Sequence, residues 1–200
     1  LLISAVVNEL HLSFQHNSSI GLAFFYCDFR ERVTLNTILG SLLGQLARGL
    51  LIFPQPLEEL YDEHLETRTR PTTSGLLEVL DLIISRFTKV FIVIDALDEC
   101  LLPGGTRATL LESIFALQAE HNLGFLATSR DYPDIAVKFD GKPYLRIRAN
   151  EDDIKTFLRG QIDQVGVLPD FVQRKPELQK EIIAEITKAV DGMLVTSQTY

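Results

Sequence analysis

Residues 89–99 read Lys-Val-Phe-Ile-Val-Ile-Asp-Ala-Leu-Asp-Glu. The run 90–94 is uninterrupted in its apolar character and mostly β-branched or aromatic, which predicts a strand buried on both faces of a sheet. It ends at Asp95, and the acidic pair Asp98 and Glu99 follows three residues later. Ligands of doubly wound α/β sheets lie at the carboxyl ends of the strands, so we expect the three carboxylates at such an edge.

Carboxylates at this position suit a metal-dependent reaction of a phosphate compound. Mg²⁺ takes oxygen ligands and usually bridges to phosphates, so Asp95 is a candidate ligand. Asp98 or Glu99 could orient or deprotonate an attacking water. The pattern is typical of a Walker B strand with an extended acidic tail. The alternative, a buried strand that runs into a solvated acidic loop, stays open at this point.

The rest of the chain alternates predicted strands with amphipathic helices. We predict strands at residues 21–29, 123–128 and 144–148, and helical periodicity at residues 1–15, 38–50, 76–87 and 110–117. Strands that alternate with helices of this length imply parallel βαβ units with right-handed crossovers. The sequence therefore predicts an α/β fold with a parallel sheet up to about residue 148, followed by a helical segment.

Local signals also predict where individual helices begin. Thr34 or Asn36 can cap the second helix, Thr73 or Ser74 the helix before the acidic strand, and Thr106 the helix after it. Each of these side chains can accept a hydrogen bond from a free N–H group of the first helical turn.

Composition bounds the class of protein. The 200 residues are 46% hydrophobic and 23% charged, with a formal net charge of −8 and scattered basic residues. This balance is ordinary for a globular domain and argues against nucleic acid as a partner. No apolar run in the sequence has the length of a membrane span, and no signal peptide is recognisable. The histidines are dispersed and show no spacing typical of metal ligands. Cys27 and Cys100 are far apart in sequence, which predicts reduced, structural thiols and a cytoplasmic location.

Three segments taken in order resemble a NACHT-type nucleotide-binding domain of the STAND class of signalling NTPases. They are Phe-Phe-Tyr-Cys-Asp-Phe at 24–29, Phe-Ile-Val-Ile-Asp-Ala-Leu-Asp-Glu-Cys at 91–100 and Ala-Thr-Ser-Arg at 127–130. The resemblance is to the nephrocystin-3-like version common in fungal multidomain proteins, which ankyrin or WD40 repeats often follow. Residues 148–157 and 190–194 resemble the region after that domain's core.

This resemblance implies a P-loop NTPase-like sheet that uses Mg²⁺ with ATP or GTP. Asp95 would coordinate Mg²⁺ directly or through water, and Asp98 or Glu99 would hold the hydrolytic water. Arg130 would contact the γ-phosphate as a sensor, with Ser129 beside it among the nucleotide-contacting residues. Independently of the family, a guanidinium at a strand's carboxyl end can stabilise charge on a phosphoryl group. The alternative is a surface arginine paired with Asp131 or Asp134.

The chain departs from this family pattern in its phosphate loop. The motif G-x-x-x-x-G-K-[ST] does not occur in the sequence, and Gly141-Lys142 is followed by proline rather than by a hydroxyl residue. The chain also begins without Met inside an apolar pattern, so we expect a fragment whose first strand and loop precede Leu1 in the parent protein.

The absent strand would lie in the sheet between the strands at 123–128 and 144–148. Either neighbouring strands close that gap or the fragment is weakly stable. We also expect the chain alone to bind ATP negligibly, since it lacks the main phosphate contacts.

Two functions follow as hypotheses. In the first, residues 1–148 are the nucleotide-binding core of a signalling switch, and residues 149–200 begin a helical or winged-helix region. Exchange of ATP for ADP would then change how the domain packs on C-terminal ankyrin or WD40 repeats, with an N-terminal effector domain and self-oligomerisation as further partners. In the second, the chain is a non-catalytic interaction or scaffold module. Neither hypothesis involves nucleic acid or a membrane.

Overall fold

A computed structural model describes residues 2–31, 33–100, 105–147, 151–162, 175–190 and 195–199. Its helices and strands alternate along the chain, in agreement with the predicted α/β fold. The helices are α1 (Leu2–Phe14), α2 (Leu35–Gly49), α3 (Gln55–Thr67), α4 (Thr73–Ile84), α5 (Thr106–Glu120), α6 (Pro133–Ala136), α7 (Glu151–Ile162) and α8 (Pro176–Val190). The strands are β1 (Ile20–Tyr26), β2 (Lys89–Asp95), β3 (Leu123–Ser129), β4 (Leu145–Ile147) and β5 (Val195–Thr199).

The acidic strand β2 lies in the interior of the sheet. It pairs in parallel with β1 on one side and with β3 on the other, with Tyr26 opposite Asp95 and Ile94 opposite Ala127. Ile92 and Ile94 are fully buried in the large core beneath α2, α4 and α5, whereas Val93 packs with α1 on the opposite face. The predicted parallel sheet with helices on both faces is therefore confirmed.

The sheet contains a strand that the sequence analysis did not predict. The strand order is β1-β2-β3-β5-β4, and β5 pairs with β3 in the antiparallel sense, with Ser129 opposite Thr196. β5 thus occupies the place beside β3 that we expected an absent parallel strand to leave open. Its backbone groups satisfy the ladder of β3, which would otherwise present unpaired N–H and C=O groups.

The outer edge of the sheet at β1 is covered by a side chain of α2. Gln45 donates a hydrogen bond to the Phe24 carbonyl at 2.8 Å and accepts one from the Phe24 N–H at 3.0 Å. An amide side chain thereby replaces a neighbouring strand at one residue of an exposed edge.

β1 ends at Tyr26, three residues earlier than the sequence predicts. The carboxylate of Asp28 accepts the backbone N–H of Arg30 at 2.9 Å and binds its guanidinium. This local turn diverts the chain from the sheet, since Asp side chains that bond to the backbone two residues on compete with strand pairing.

The helix starts correct part of the capping prediction. Thr34 caps α2, as one of the two predicted alternatives, by accepting the N–H of Thr37. Thr72, not Thr73 or Ser74, caps α4. α5 is preceded by Gly105 in the left-handed conformation, and Thr106 is its first helical residue rather than its cap. Glycine adopts this positive φ without the penalty of a Cβ atom, which explains why glycine rather than a residue with a capping side chain stands at this position.

The chain divides into two compact units, one comprising Leu1–Leu145 with Thr196–Tyr200 and the other Arg146–Val195. In the second unit α7 packs against α8. Some predicted features lie outside the described residues. They are Arg148, the last residue of a predicted strand, and residues 191–194 of the segment that resembles the region after the domain core. Within the described ranges, no helix combines the length and apolar character that crossing a membrane requires.

Candidate functional site

Asp95 lies at the carboxyl end of β2, and the neighbouring strand supplies its partner. The Thr128 hydroxyl donates a hydrogen bond to Asp95 Oδ1 and accepts one from the Ala96 N–H at 2.9 Å. Thr128 itself is only 5% exposed. One buried hydroxyl therefore fixes both the carboxylate and the first residue beyond the strand. Sequence reasoning quoted Thr128 only as part of a motif. The parallel register, which places Ala127 opposite Ile94, is the signal that assigns it to the site.

The chain turns sharply after Asp95. Ala96 has a left-handed backbone, with φ 52° and ψ 49°, and leads into a short 3₁₀ turn at Leu97–Glu99. Such a conformation costs a residue with a Cβ atom about 1–2 kcal/mol. Full burial of Leu97 and the hydrogen bond from the Ala96 N–H to Thr128 offset this cost. The bend returns Asp98 and Glu99 toward the end of the sheet.

Asp98 and Arg130 form the central ion pair of the site. Arg130 Nε donates to Asp98 Oδ2 at 2.6 Å, and the Arg130 backbone N–H donates to Oδ1 at 3.1 Å. The Asp98 side chain is 4% exposed and that of Arg130 is 52% exposed. This arrangement brings two predicted site residues together from adjacent strands. The alternative pairing of Arg130 with Asp134 does not occur, because Asp134 pairs with Arg107.

The electrostatic environment extends to the second acidic residue. The pKa of the Arg130 guanidinium is raised, first by its hydrogen bond to Asp98 and to a lesser extent by the negative charge of Glu99. The hydroxyl of Ser129, which is 9% exposed, donates to the Arg130 carbonyl at 2.7 Å. The five predicted residues Asp95, Asp98, Glu99, Ser129 and Arg130 thus lie at one edge of the sheet.

Arg107 stabilises the 3₁₀ turn Leu97–Glu99, called the acidic turn below, and the sequence analysis did not identify this residue. Its Nη2 donates to the carbonyls of Asp98 at 3.2 Å and Cys100 at 3.1 Å, while Nη1 contacts Asp134. Its buried Nε has no hydrogen-bond partner among the described residues. Arg107 lies in the first turn of α5, and no sequence motif surrounds it. Its role could not be predicted because it depends on how close the fold brings the turn Leu97–Glu99 to α5.

Two groups of side chains could hold a cation. Asp95, with the Thr128 hydroxyl beside it, offers oxygen ligands of the kind that Mg²⁺ prefers, so the residues present fit that ion. At the opposite edge of the sheet, ligand atoms of Asp81, Glu120 and His121 lie within 4.8 Å of one another. There His121 Nε2 contacts Asp81 Oδ1 at 2.6 Å, a pairing that the sequence analysis did not foresee.

Comparison with known proteins supports one part of the resemblance. Searches among curated proteins and among solved structures found no match. A family model described as nephrocystin 3, N-terminal, matches residues 1–130, which include the whole acidic strand and the Arg130 segment. Because this match spans well over half of the 200 residues, the chain belongs to the nephrocystin 3 N-terminal family.

Proposed function

We propose that this chain is the metal-and-sensor part of a nucleotide-dependent signalling switch of the STAND type, with a NACHT-like domain. The observation that carries the proposal is the contact between Asp98 and Arg130, beside Asp95, at the carboxyl ends of adjacent parallel strands. Two acids and a guanidinium at this edge match the parts that phosphoryl transfer requires. Membership of a nephrocystin 3 family fits a signalling or scaffold module at a coarser level.

Each residue of the candidate site would have a separate role in binding the metal ion, the nucleotide or the attacking water. Bound Mg²⁺ would neutralise charge on the phosphates of ATP or GTP. Asp95 would hold this ion, directly or through water, in the orientation that Thr128 sets. Glu99 or Asp98 would orient the attacking water, and Ser129 would lie beside the nucleotide.

Arg130 would connect nucleotide state to conformation. A γ-phosphate and the Asp98 carboxylate would compete for the same guanidinium, because Arg130 Nε already donates to Asp98. Exchange of partners would release Asp98, and with it the 3₁₀ turn Leu97–Glu99. This local release is the step that we propose to be transmitted to the repeat and effector domains of the parent protein.

Nucleotide binding would also require a phosphate loop. The sequence contains no G-x-x-x-x-G-K-[ST] motif, and three carboxylates without such a loop would repel a triphosphate. We therefore propose that the loop belongs to another part of the parent protein and that the 200-residue chain alone binds ATP negligibly.

The test uses the parent protein, in which we propose that a phosphate loop is present, titrated with a fluorescent ATP analogue and Mg²⁺. Asp95→Asn should weaken Mg²⁺-dependent binding by more than about 100-fold, the upper end of losses seen when even an outer-shell metal partner is removed. Asp62→Asn, an exposed acid of α3, is the matched control and should have no effect. Equal affinities for the two variants would refute the role of Asp95. Micromolar, Mg²⁺-dependent binding by the 200-residue chain would refute the need for the loop.

A non-catalytic scaffold module is the second candidate. It is favoured by the fact that Asp95 and Asp98 both have protein partners, Thr128 and Arg130, so that the site is satisfied internally. Partner binding that is identical with and without nucleotide, and unaffected by Asp95→Asn, would select this alternative.

A further inference from the structure

The only two cysteines of the sequence lie together beside the acidic turn. Cys27 follows β1 directly, and Cys100 follows the 3₁₀ turn Leu97–Glu99. Both are free and buried in the same hydrophobic core, and each thiol shifts the pKa of the other, as expected of neighbouring side chains. These two residues, far apart in sequence, come near each other because the parallel pairing of β1 with β2 brings the ends of these strands together.

The backbone around both residues is well held. The Cys27 N–H donates to the Asp95 carbonyl at 3.1 Å, which extends the β1–β2 ladder by one residue. The Cys100 N–H donates to the Leu97 carbonyl at 3.3 Å, and its carbonyl accepts from Arg107. Because both residues follow paired strand ends and are buried in one core cluster, we expect covalent pairing to require side-chain rotation and a local movement of the turn rather than a rearrangement of strands.

The surroundings of Cys100 favour it as the reacting thiol. Its pKa is lowered, first by the hydrogen bond from Cys27 and further by the positive charge of Arg107, against the effect of burial. Thiolate character is what makes a cysteine nucleophilic toward peroxides. Because Cys27 is 7% exposed and Cys100 is fully buried, only small oxidants such as hydrogen peroxide can reach these thiols.

We propose that Cys27 and Cys100 form an oxidation site, in which a peroxide converts the two neighbouring thiols into an intramolecular disulfide. The Cys100 sulfur attacks one peroxide oxygen, which breaks the O–O bond and gives a sulfenic acid and one water molecule. The Cys27 sulfur then attacks the Cys100 sulfur and displaces a second water, with its proton leaving in that water. Both sulfurs are oxidised and both peroxide oxygens are reduced.

This disulfide would join the end of β1 to the acidic turn. Asp98 and Glu99 directly precede Cys100, so the cross-link would restrict how far the turn moves from the sheet. The oxidation itself does not depend on nucleotide binding and can fail or succeed independently of the proposed function.

The experiment exposes the folded 200-residue chain to graded hydrogen peroxide and follows intact mass and free thiols. The expected product is a monomer that has lost two hydrogen atoms, with both thiols disappearing together and returning with a reductant. In Cys27→Ala, which keeps Arg107 but loses the partner thiol, Cys100 should react more slowly than in the wild type, gain oxygen and be trapped by a sulfenic-acid reagent. Cys100→Ala should leave Cys27 unmodified over the same time. Hydrogen exchange of the amides at 97–100 should slow in the oxidised wild type.

Several results would overturn the proposal. One is a wild-type chain whose two cysteines gain oxygen separately, or cross-link between chains, without an internal disulfide. Another is a folded wild type that stays reduced at peroxide levels that oxidise Cys100 in Cys27→Ala. The wild-type measurement stands even if a variant fails to fold.

Discussion

Replacing Thr128 by valine should destabilise the candidate site without changing its shape. Valine keeps the branched outline of threonine but cannot donate to Asp95 or accept the Ala96 N–H. A methyl group replaces the hydroxyl at a position that is only 5% exposed, whereas Asp95 and Ala96 are half-buried, so water can replace only part of the lost hydrogen bonding. The substitution therefore measures the contribution of the Thr128 hydroxyl alone to the stability of the fold.

The expected loss follows from the two hydrogen bonds. A bond to a charged group contributes about 1.5–3 kcal/mol, and a buried N–H left without a partner costs about 1–3 kcal/mol. Because the Ala96 N–H also helps to hold a left-handed residue, its loss leaves that conformation less supported. We expect the free energy of unfolding to fall by about 3 kcal/mol. For a chain of this length, that lowers Tm by about 6–12 °C.

Urea unfolding followed by circular dichroism measures this difference. Thr128→Ser is the matched control, because it keeps the hydroxyl and loses only a methyl group, which costs about 1 kcal/mol. The order of stability should be wild type, serine, then valine. A valine variant as stable as the serine variant would show that the Thr128 hydroxyl does not hold Asp95 and Ala96 in solution.

Three further measurements test the structure away from this hydroxyl. Gly21→Ala should lower the free energy of unfolding by about 1–3 kcal/mol, because the added Cβ would lie 2.9 Å from the Leu46 side chain. In α2, the Cβ added by Gly44→Ala meets nothing within 4 Å, so this variant should raise the free energy of unfolding by about 0.5–1 kcal/mol. Urea unfolding compares the two variants. Asp28 should titrate by NMR with a pKa of about 2 because Arg30 binds it, and Arg30→Gln should return the pKa toward 3.8. Since this pKa is depressed by folding, the pair stabilises the fold above pH 3.8 and the effect is lost as pH falls toward 2, with added salt weakening it. Gln45→Leu should leave the edge of β1 uncovered and increase aggregation, measured by light scattering; an unchanged variant would refute the edge-covering role.

The sequence predicts those features that follow from periodicity and strand direction. The uninterrupted run at 90–94 could be assigned to an interior strand because only burial on both faces tolerates it. The convergence of Asp98 with Arg130 was also accessible, since carboxyl ends of parallel strands share an edge. Both inferences use one-dimensional patterns and a general rule of topology.

Features that depend on three-dimensional register were not accessible. The Thr128–Asp95 contact requires knowing that β2 and β3 pair with Ile94 opposite Ala127. The brace by Arg107 requires the path of the turn that precedes α5. β5 reads Val-Thr-Ser-Gln-Thr, with one apolar residue, so nothing in its composition predicts a sheet partner for β3.

The geometry of the turn separates the two acids that sequence reasoning treated as equivalent. Successive residues of a 3₁₀ helix point about 120° apart, so Asp98 and Glu99 cannot both face Arg130. Asp98 takes that position with two hydrogen bonds and is almost fully buried. Glu99 affects Arg130 only through its charge. A carboxylate that is hydrogen-bonded to a guanidinium is not free to orient an attacking water. We therefore expect Glu99 to orient the water and Asp98 to position Arg130. In a nucleotide-hydrolysing parent, Glu99→Gln should abolish turnover while preserving binding, whereas Asp98→Asn should alter binding first.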